Sequence, residues 1–94
     1  MLSRIHVFVS GRVQGVAYRY FVERRAAEIP VTGWVRNSRD GRVEIVAEGR
    51  KVDLERFLEV LRQGPRMAKV DGLDLLWEDY RGEFKDFRIE FMAF

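Results

Sequence analysis

The order of elements in this chain predicts an α+β sandwich, a mostly antiparallel sheet of four or five strands with two helices on one face. Three observations lead there. Stretches with helical spacing alternate with β-branched and aromatic stretches in the order strand, helix, strand, strand, helix, strand, with one short strand added. Asp40-Gly41 lies between the two middle strands, where an Asp-Gly pair marks a tight hairpin turn. Each helix runs into a breaker, Pro30 after the first and Gly64-Pro65 after the second.

Each element has its own reason. Arg4 to Val9 is β-branched and aromatic, as a buried central strand requires. His6 within it reads as a structural residue. The first helix, Tyr20 to Ile29, continues an apolar face of Tyr18, Phe21, Val22, Ala26 and Ile29, with Glu23, Arg24, Arg25 and Glu28 opposite. Pro30 stops it, because the residue before a proline is pushed out of helical angles. Thr32 to Ser38 is the second strand and Arg42 to Gly49 the returning one, with Val43, Ile45 and Ala47 on one face and Glu44, Val46 and Glu48 on the other. The second helix runs from Val52 to Gln63 with the stripe Leu54, Phe57, Leu58 and Leu61, and Asp53 complements its dipole. Gly64 is placed to take the left-handed position after it. Lys69 to Tyr80 is a long strand with Leu73, Leu75 and Trp77 on one face, and Arg81-Gly82-Glu83 is a loop. Phe87, Ile89 and Phe91 alternate in a last short strand before Met92 to Phe94 end the chain. This order is the split βαβ, ferredoxin-like layout, which supports many functions and decides none.

Ninety-four residues suffice for one domain with a modest core, so residues 1–94 are read as a single domain. Hydrophobic residues at 47% point to a folded globule rather than disorder. The absence of Cys excludes disulfides and thiol chemistry, and one His speaks against a zinc centre. No apolar run approaches a membrane span and no signal-peptide stretch opens the chain, so a cytoplasmic location without a membrane partner is expected. A net charge of +2 without blocks of like charge gives little support to nucleic-acid binding, while the excess of Arg suits a small anion. RNA-binding domains of the RRM type share the layout, but their Arg/Lys-Gly-Phe/Tyr-Gly/Ala-Phe pattern is absent from this sequence.

The stretch Gly11-Arg12-Val13-Gln14-Gly15-Val16-Ala17-Tyr18-Arg19 joins the end of the first strand to the start of the first helix. Free backbone N–H groups and the positive end of the helix dipole make such a junction a site for an anion. No Ser, Thr, Asp or Asn lies between Gly11 and Ile29, so side-chain caps are missing. Arg19 falls near the first turn, where a cation is disfavoured by roughly 0.3–1 kcal/mol. Its planar fork fits two oxygens of a phosphate or carboxylate, although the residues alone equally allow Arg19 to point to solvent. The loop is neither a Walker A nor a dinucleotide fingerprint. Asn37, at the hairpin end of its strand, reads on its own as a residue that helps start the turn.

These stretches resemble the two signatures of the acylphosphatase family. Gly11 to Arg19 is similar to the phosphate-binding loop Gly-x-Val-Gln-Gly-Val-x-Phe/Tyr-Arg, and Gly33 to Gly41 to the second motif Gly-Trp-Val-x-Asn-x-x-Asp-Gly. The Gln63-Gly64-Pro65 corner is similar as well. Ala17 departs from the pattern where Gly or Phe is common, and Ile29-Pro30 where Leu-Gly often ends the helix. The resemblance implies hydrolysis of acyl phosphates to a carboxylate and inorganic phosphate, substrate-assisted and without a metal or other cofactor. It assigns Arg19 to the phosphate and Asn37 to the attacking water. Backbone N–H groups of Gln14, Gly15, Val16, Ala17, Tyr18 and Arg19 are the expected companions of the Arg19 guanidinium around the phosphate. The expected partners are a small-molecule acyl phosphate and inorganic phosphate, the product and a competitive inhibitor. A chain that begins at Met1 and ends just past its last strand is read as a free-standing, monomeric enzyme.

Overall fold

The computed structural model describes residues 1–91. Seven elements follow one another: β1 (Leu2–Arg12), α1 (Tyr18–Ala26), β2 (Val31–Asn37), β3 (Val43–Arg50), α2 (Lys51–Gln63), β4 (Lys69–Glu78) and β5 (Phe87–Ile89). They form one sheet in the order β4-β1-β3-β2-β5. β3 pairs antiparallel with both β1 and β2, β1 pairs antiparallel with β4, and β5 lies parallel to β2. Because β1 and β2 flank β3, they run in the same direction and finish at the same end of the sheet. Val43, the first residue of β3, is paired with Val9 on one side and with Asn37 on the other.

The period-2 pattern of the strands aims Ile5, Val7, Val9, Val35, Ile45 and Ala47 at the helices, where Val22, Leu54, Phe57 and Leu61 complete a core closed to solvent. Each of these side chains larger than Ala47 contributes roughly 1.5–3 kcal/mol by leaving water. Phe87 of β5 meets Phe57 edge-on at 5.5 Å between ring centres, which ties the last strand to α2.

Several boundaries differ from the sequence reading. α1 begins at Tyr18 and ends at Ala26, short of Ile29. Glu28 and Ile29 donate to Arg25 and Ala26, three residues back rather than four, so the chain tightens as it approaches Pro30. Ile29 is still buried, so the expected apolar face persists beyond the helix. β1 runs on to Arg12 through a bulge at Ser10/Gly11. β4 stops at Glu78, and as an edge strand it leaves Trp77 partly exposed rather than in the core. Gly64 has the positive φ expected of it, 66°, but its ψ of 176° is extended rather than left-handed helical. Phe91 lies beyond β5 and is exposed, so the last strand contains only Phe87 and Ile89 of the three alternating residues. Met92 to Phe94 lie outside the described residues.

The sheet face away from the helices holds a polar layer. Residues 79–86 carry the chain from β4 on one edge to β5 on the other, and buried Glu48 fastens this crossing. Its carboxylate accepts from the backbone N–H of Arg81 at 2.7 Å and of Glu83 at 3.2 Å, and from the Arg4 guanidinium at 3.3 Å. Arg4 also donates to Glu78 and Glu83 and stacks over Phe84. Burial opposes its charge, but the bonds to Glu83, Glu48 and Glu78 outweigh this and raise its pKa above the ordinary guanidinium value. Glu44, next along β3, accepts from Arg36 at 2.9 Å and pairs with His6 at 2.6 Å. His6 is thus structural, as expected.

Replacing Glu48 with Ala leaves Arg4 short of one partner and two backbone N–H groups without acceptors. Such a loss is expected to destabilise the fold by about 3 kcal/mol. Urea unfolding should show an earlier midpoint with an unchanged slope; a midpoint within error of the parent would rule out this anchor.

Candidate active site

The strand order brings the two stretches singled out in the sequence to one end of the sheet. The loop of residues 13–17 leaves β1 there, and the hairpin of residues 38–42 leaves β2 there. Gln14 joins them. Its side-chain amide nitrogen donates to the carbonyl of Ser38 at 2.8 Å and to that of Arg42 at 2.9 Å. The hairpin is closed by Ser38 N–H donating to the Arg42 carbonyl at 2.8 Å. Asp40 steadies it by accepting from the Arg42 backbone and guanidinium, bonds that hold the Asp40 carboxyl down at about 2. Arg42 in turn lies over the Phe8 ring at 4.2 Å.

The loop turns through two left-handed residues, Gly15 (φ 72°) and Ala17 (φ 62°). A Cβ added at Gly15 would meet nothing within 4 Å, so this position needs its backbone angle and not extra room. Ala17 is the N-cap of α1 and offers no side-chain cap, and its carbonyl receives the first helical bond from Phe21 at 3.0 Å. Val13 and Val16 are turned toward the core and hold the loop down. Among the described residues, no backbone N–H from Gln14 to Arg19 donates to a protein acceptor.

Tyr18 fixes the helix end of the loop. It is 1% exposed, and its hydroxyl donates at 2.7 Å to the carbonyl of Leu61, one of the acceptors left open in the last turn of α2. Burial pushes the phenol's pKa up, so it remains a donor. Arg19 follows, half-exposed at the start of α1. It makes no ion pair or hydrogen bond with a described residue, in contrast with Arg4, Arg25, Arg36, Arg42 and Arg50, which all have carboxylate partners. Val13, Gly15, Ala17, Tyr18, Arg19 and Tyr20 line a depression of about 270 Å³. Asn37 closes β2, and its Oδ1 is buried without a hydrogen-bond partner. An unmet buried acceptor costs about 1–3 kcal/mol.

The expected site residues therefore collect at one end of the sheet: free N–H groups, an unpaired guanidinium, and an amide oxygen without a donor. The sequence reading gave Gln14 only a backbone role and missed its side-chain bridge. The available signal was a long amide in a two-glycine loop that offers no side-chain partner nearby in sequence. Among the described residues, no group of three or more His, Asp or Glu is gathered in a way that suits a metal ion, and no helix is long and apolar enough to cross a membrane.

Element order and topology define a ferredoxin-like α+β sandwich. The model of the acylphosphatase family matches residues 5–89. The acylphosphatase of Methylococcus capsulatus is 49% identical over 88 residues, which cover 94% of this chain and 96% of that protein. The crystal structure of acylphosphatase from Bacillus subtilis superposes with a TM-score of 0.90 at 39% identity, covering 96% of this chain and 99% of that one. T. kodakarensis HypF superposes with a TM-score of 0.82 at 34% identity over 99% of this chain but 12% of its own, so there the fold is a small part of a longer protein. This chain belongs to the acylphosphatase family and is an enzyme of that class.

Ala17 carries a measurable strain. A left-handed L-residue costs about 1–2 kcal/mol, part of which glycine would return as lost chain entropy. Ala17→Gly is expected to stabilise the fold by about 0.5–1 kcal/mol and to raise Tm by roughly 2–6 °C. A lower Tm would show that the Ala17 methyl contributes packing that outweighs its backbone angle.

Proposed function

We propose that the chain hydrolyses acyl phosphates by holding the phosphoryl group on the loop of residues 14–19 and aiming water at it with Asn37. The observation that carries this reading is the run of backbone N–H groups without acceptors beside an unpaired Arg19. Six donors and a planar fork match the non-bridging oxygens of a phosphate, and the α1 dipole favours negative charge there. The same groups stabilise a transition state that spreads charge over those oxygens.

Asn37 complements them. Its unpartnered Oδ1 accepts a hydrogen from water and so directs a lone pair of that water toward phosphorus. The water oxygen forms a bond to phosphorus as the bond from phosphorus to the acyl oxygen breaks. A neutral amide cannot keep the proton, which passes to a non-bridging oxygen of the substrate. The leaving carboxylate, whose acid has a pKa of about 4, departs without being protonated, so no general acid is needed. Positioning and charge stabilisation therefore suffice, and the proposed reaction uses neither a metal nor an organic cofactor. Inorganic phosphate, sharing the same oxygens, binds as product and competitive inhibitor. We further propose a monomeric enzyme working in the cytoplasm.

Steady-state hydrolysis of benzoyl phosphate in excess EDTA tests the assignment. Arg19→Gln should abolish both turnover and phosphate inhibition while the fold persists, and Arg19→Lys should also fail because a point charge cannot replace the fork. An active Arg19→Gln chain with the parental KM would refute the role of Arg19. Asn37→Ala should lower kcat by about 10²-fold or more and keep phosphate inhibition. Loss of inhibition in that variant would merge the two roles. Turnover that disappears in EDTA and returns with Mg²⁺ would point to metal-assisted chemistry instead. A folded parent without turnover would leave an anion-binding module.

A further inference from the structure

We infer that Gln14 is a positioning residue whose side chain, and not only its backbone, sets where Asn37 stands relative to the phosphate loop. This rests on the proposed roles of Arg19 and Asn37. Gln14 Nε2 has two hydrogens and uses both, one on the Ser38 carbonyl and one on the Arg42 carbonyl. Both targets can only accept, so the nitrogen of the amide must face them. Ser38 follows Asn37 directly, and Ser38 and Arg42 are the residues whose mutual bond closes the hairpin. Ser38's carbonyl also accepts from Gly41 at 3.2 Å, so Gln14 grips a hairpin already cross-braced.

The bridge matters because, among the described residues, no other side-chain hydrogen bond ties residues 13–19 to this hairpin. Gly15 and Ala17 hold the loop in a left-handed turn, Tyr18 anchors it to α2, and Asp40 braces Arg42 within the hairpin. Those contacts shape each half separately. Gln14 alone among the described side chains of residues 13–19 bonds to residues 38–42. Rotation or retreat of the hairpin would move Asn37 Oδ1 and the water it directs, while the N–H groups of the loop would stay in place. Gln14 thus acts through Asn37 on the attack, and not through Arg19 on phosphate binding.

Gln14→Met keeps the length of the side chain and removes both donors. Gln14→Glu keeps its shape and sets a carboxylate against two carbonyl oxygens. Benzoyl phosphate hydrolysis and inhibition by inorganic phosphate should be measured for the parent, both variants, Asn37→Ala and the Gln14→Met/Asn37→Ala double variant. Either Gln14 variant should lower kcat by about 10- to 100-fold, the scale of an ångström of misplacement, while phosphate inhibition moves less than about threefold. In the Asn37→Ala background, Gln14→Met should cost less than about twofold more, because the residue it positions is gone. Multiplying effects would overturn the inference, since Gln14 would then act independently of Asn37. Equal losses of kcat and phosphate affinity would overturn it in favour of a role within the loop. A Gln14→Met chain too unstable to assay would also overturn it, by making the bridge a prop of the fold. If Asn37→Ala keeps full turnover, the reading of Asn37 itself fails and the inference with it, an outcome distinct from the others.

Discussion

Val43 pairs on both sides, with Val9 of β1 and with Asn37 of β2, and that double pairing is the constraint on which the site depends. A helical crossover from β1 to β2 that skips one strand position leaves room for β3 between them. The two strands then finish side by side, and whatever leaves their ends must share one edge of the molecule. A loop of five residues and a hairpin of five residues do so. Residues 13–19 and 37–42 are separate in the chain and come to the same end of the sheet for this reason. Gln14 closes the remaining gap with two hydrogen bonds.

Stability is distributed unevenly around this arrangement. The site holds the unfavourable features: a left-handed Ala17, a cation at the start of a helix, and a buried amide oxygen without a donor. The remainder of the molecule offsets them. The helix-facing side of the sheet is closed and apolar, and the opposite side is braced by Arg4, Glu48 and Glu44. Tyr18 connects the two regions, since its ring is in the core while its backbone belongs to the loop. A bound phosphate would offset the cation at the helix start, and a water molecule would give Asn37 Oδ1 the donor it lacks, while the left-handed Ala17 is held by the surrounding fold.

Much of this was legible in the sequence because the relevant signals are local. The β-branched and aromatic run of β1, the alternation in β3, the stripe of α2 and the Asp40-Gly41 turn each depend on a few neighbouring residues, and each appears in the structure close to where the pattern places it. The two motifs stood out for the same reason. What stayed hidden depends on contacts distant in sequence. Glu48 on the second face of β3 looks like a solvent residue until the crossing of residues 79–86 covers it. Pro30 marks a stop for α1, but the tightening of residues 27–29 ahead of it sets the boundary at Ala26. Phe91 continues an alternation that the strand does not follow. At the site, residue types gave Arg19 and Asn37 no decisive role, and the resemblance supplied one. Their unpaired state, and the Gln14 bridge, are properties of the folded chain only.

In the proposed site the N–H groups of residues 14–19 and the Arg19 guanidinium together receive a phosphate. An NMR titration of the ¹⁵N-labelled full chain with inorganic phosphate tests this most directly. Saturable shifts are expected on the amides of Gln14 to Arg19 and on Arg19 Nε, with the core amides of β1 and β3 unmoved. Shifts that do not saturate, or that centre on the arginines of the opposite edge such as Arg88, would contradict it.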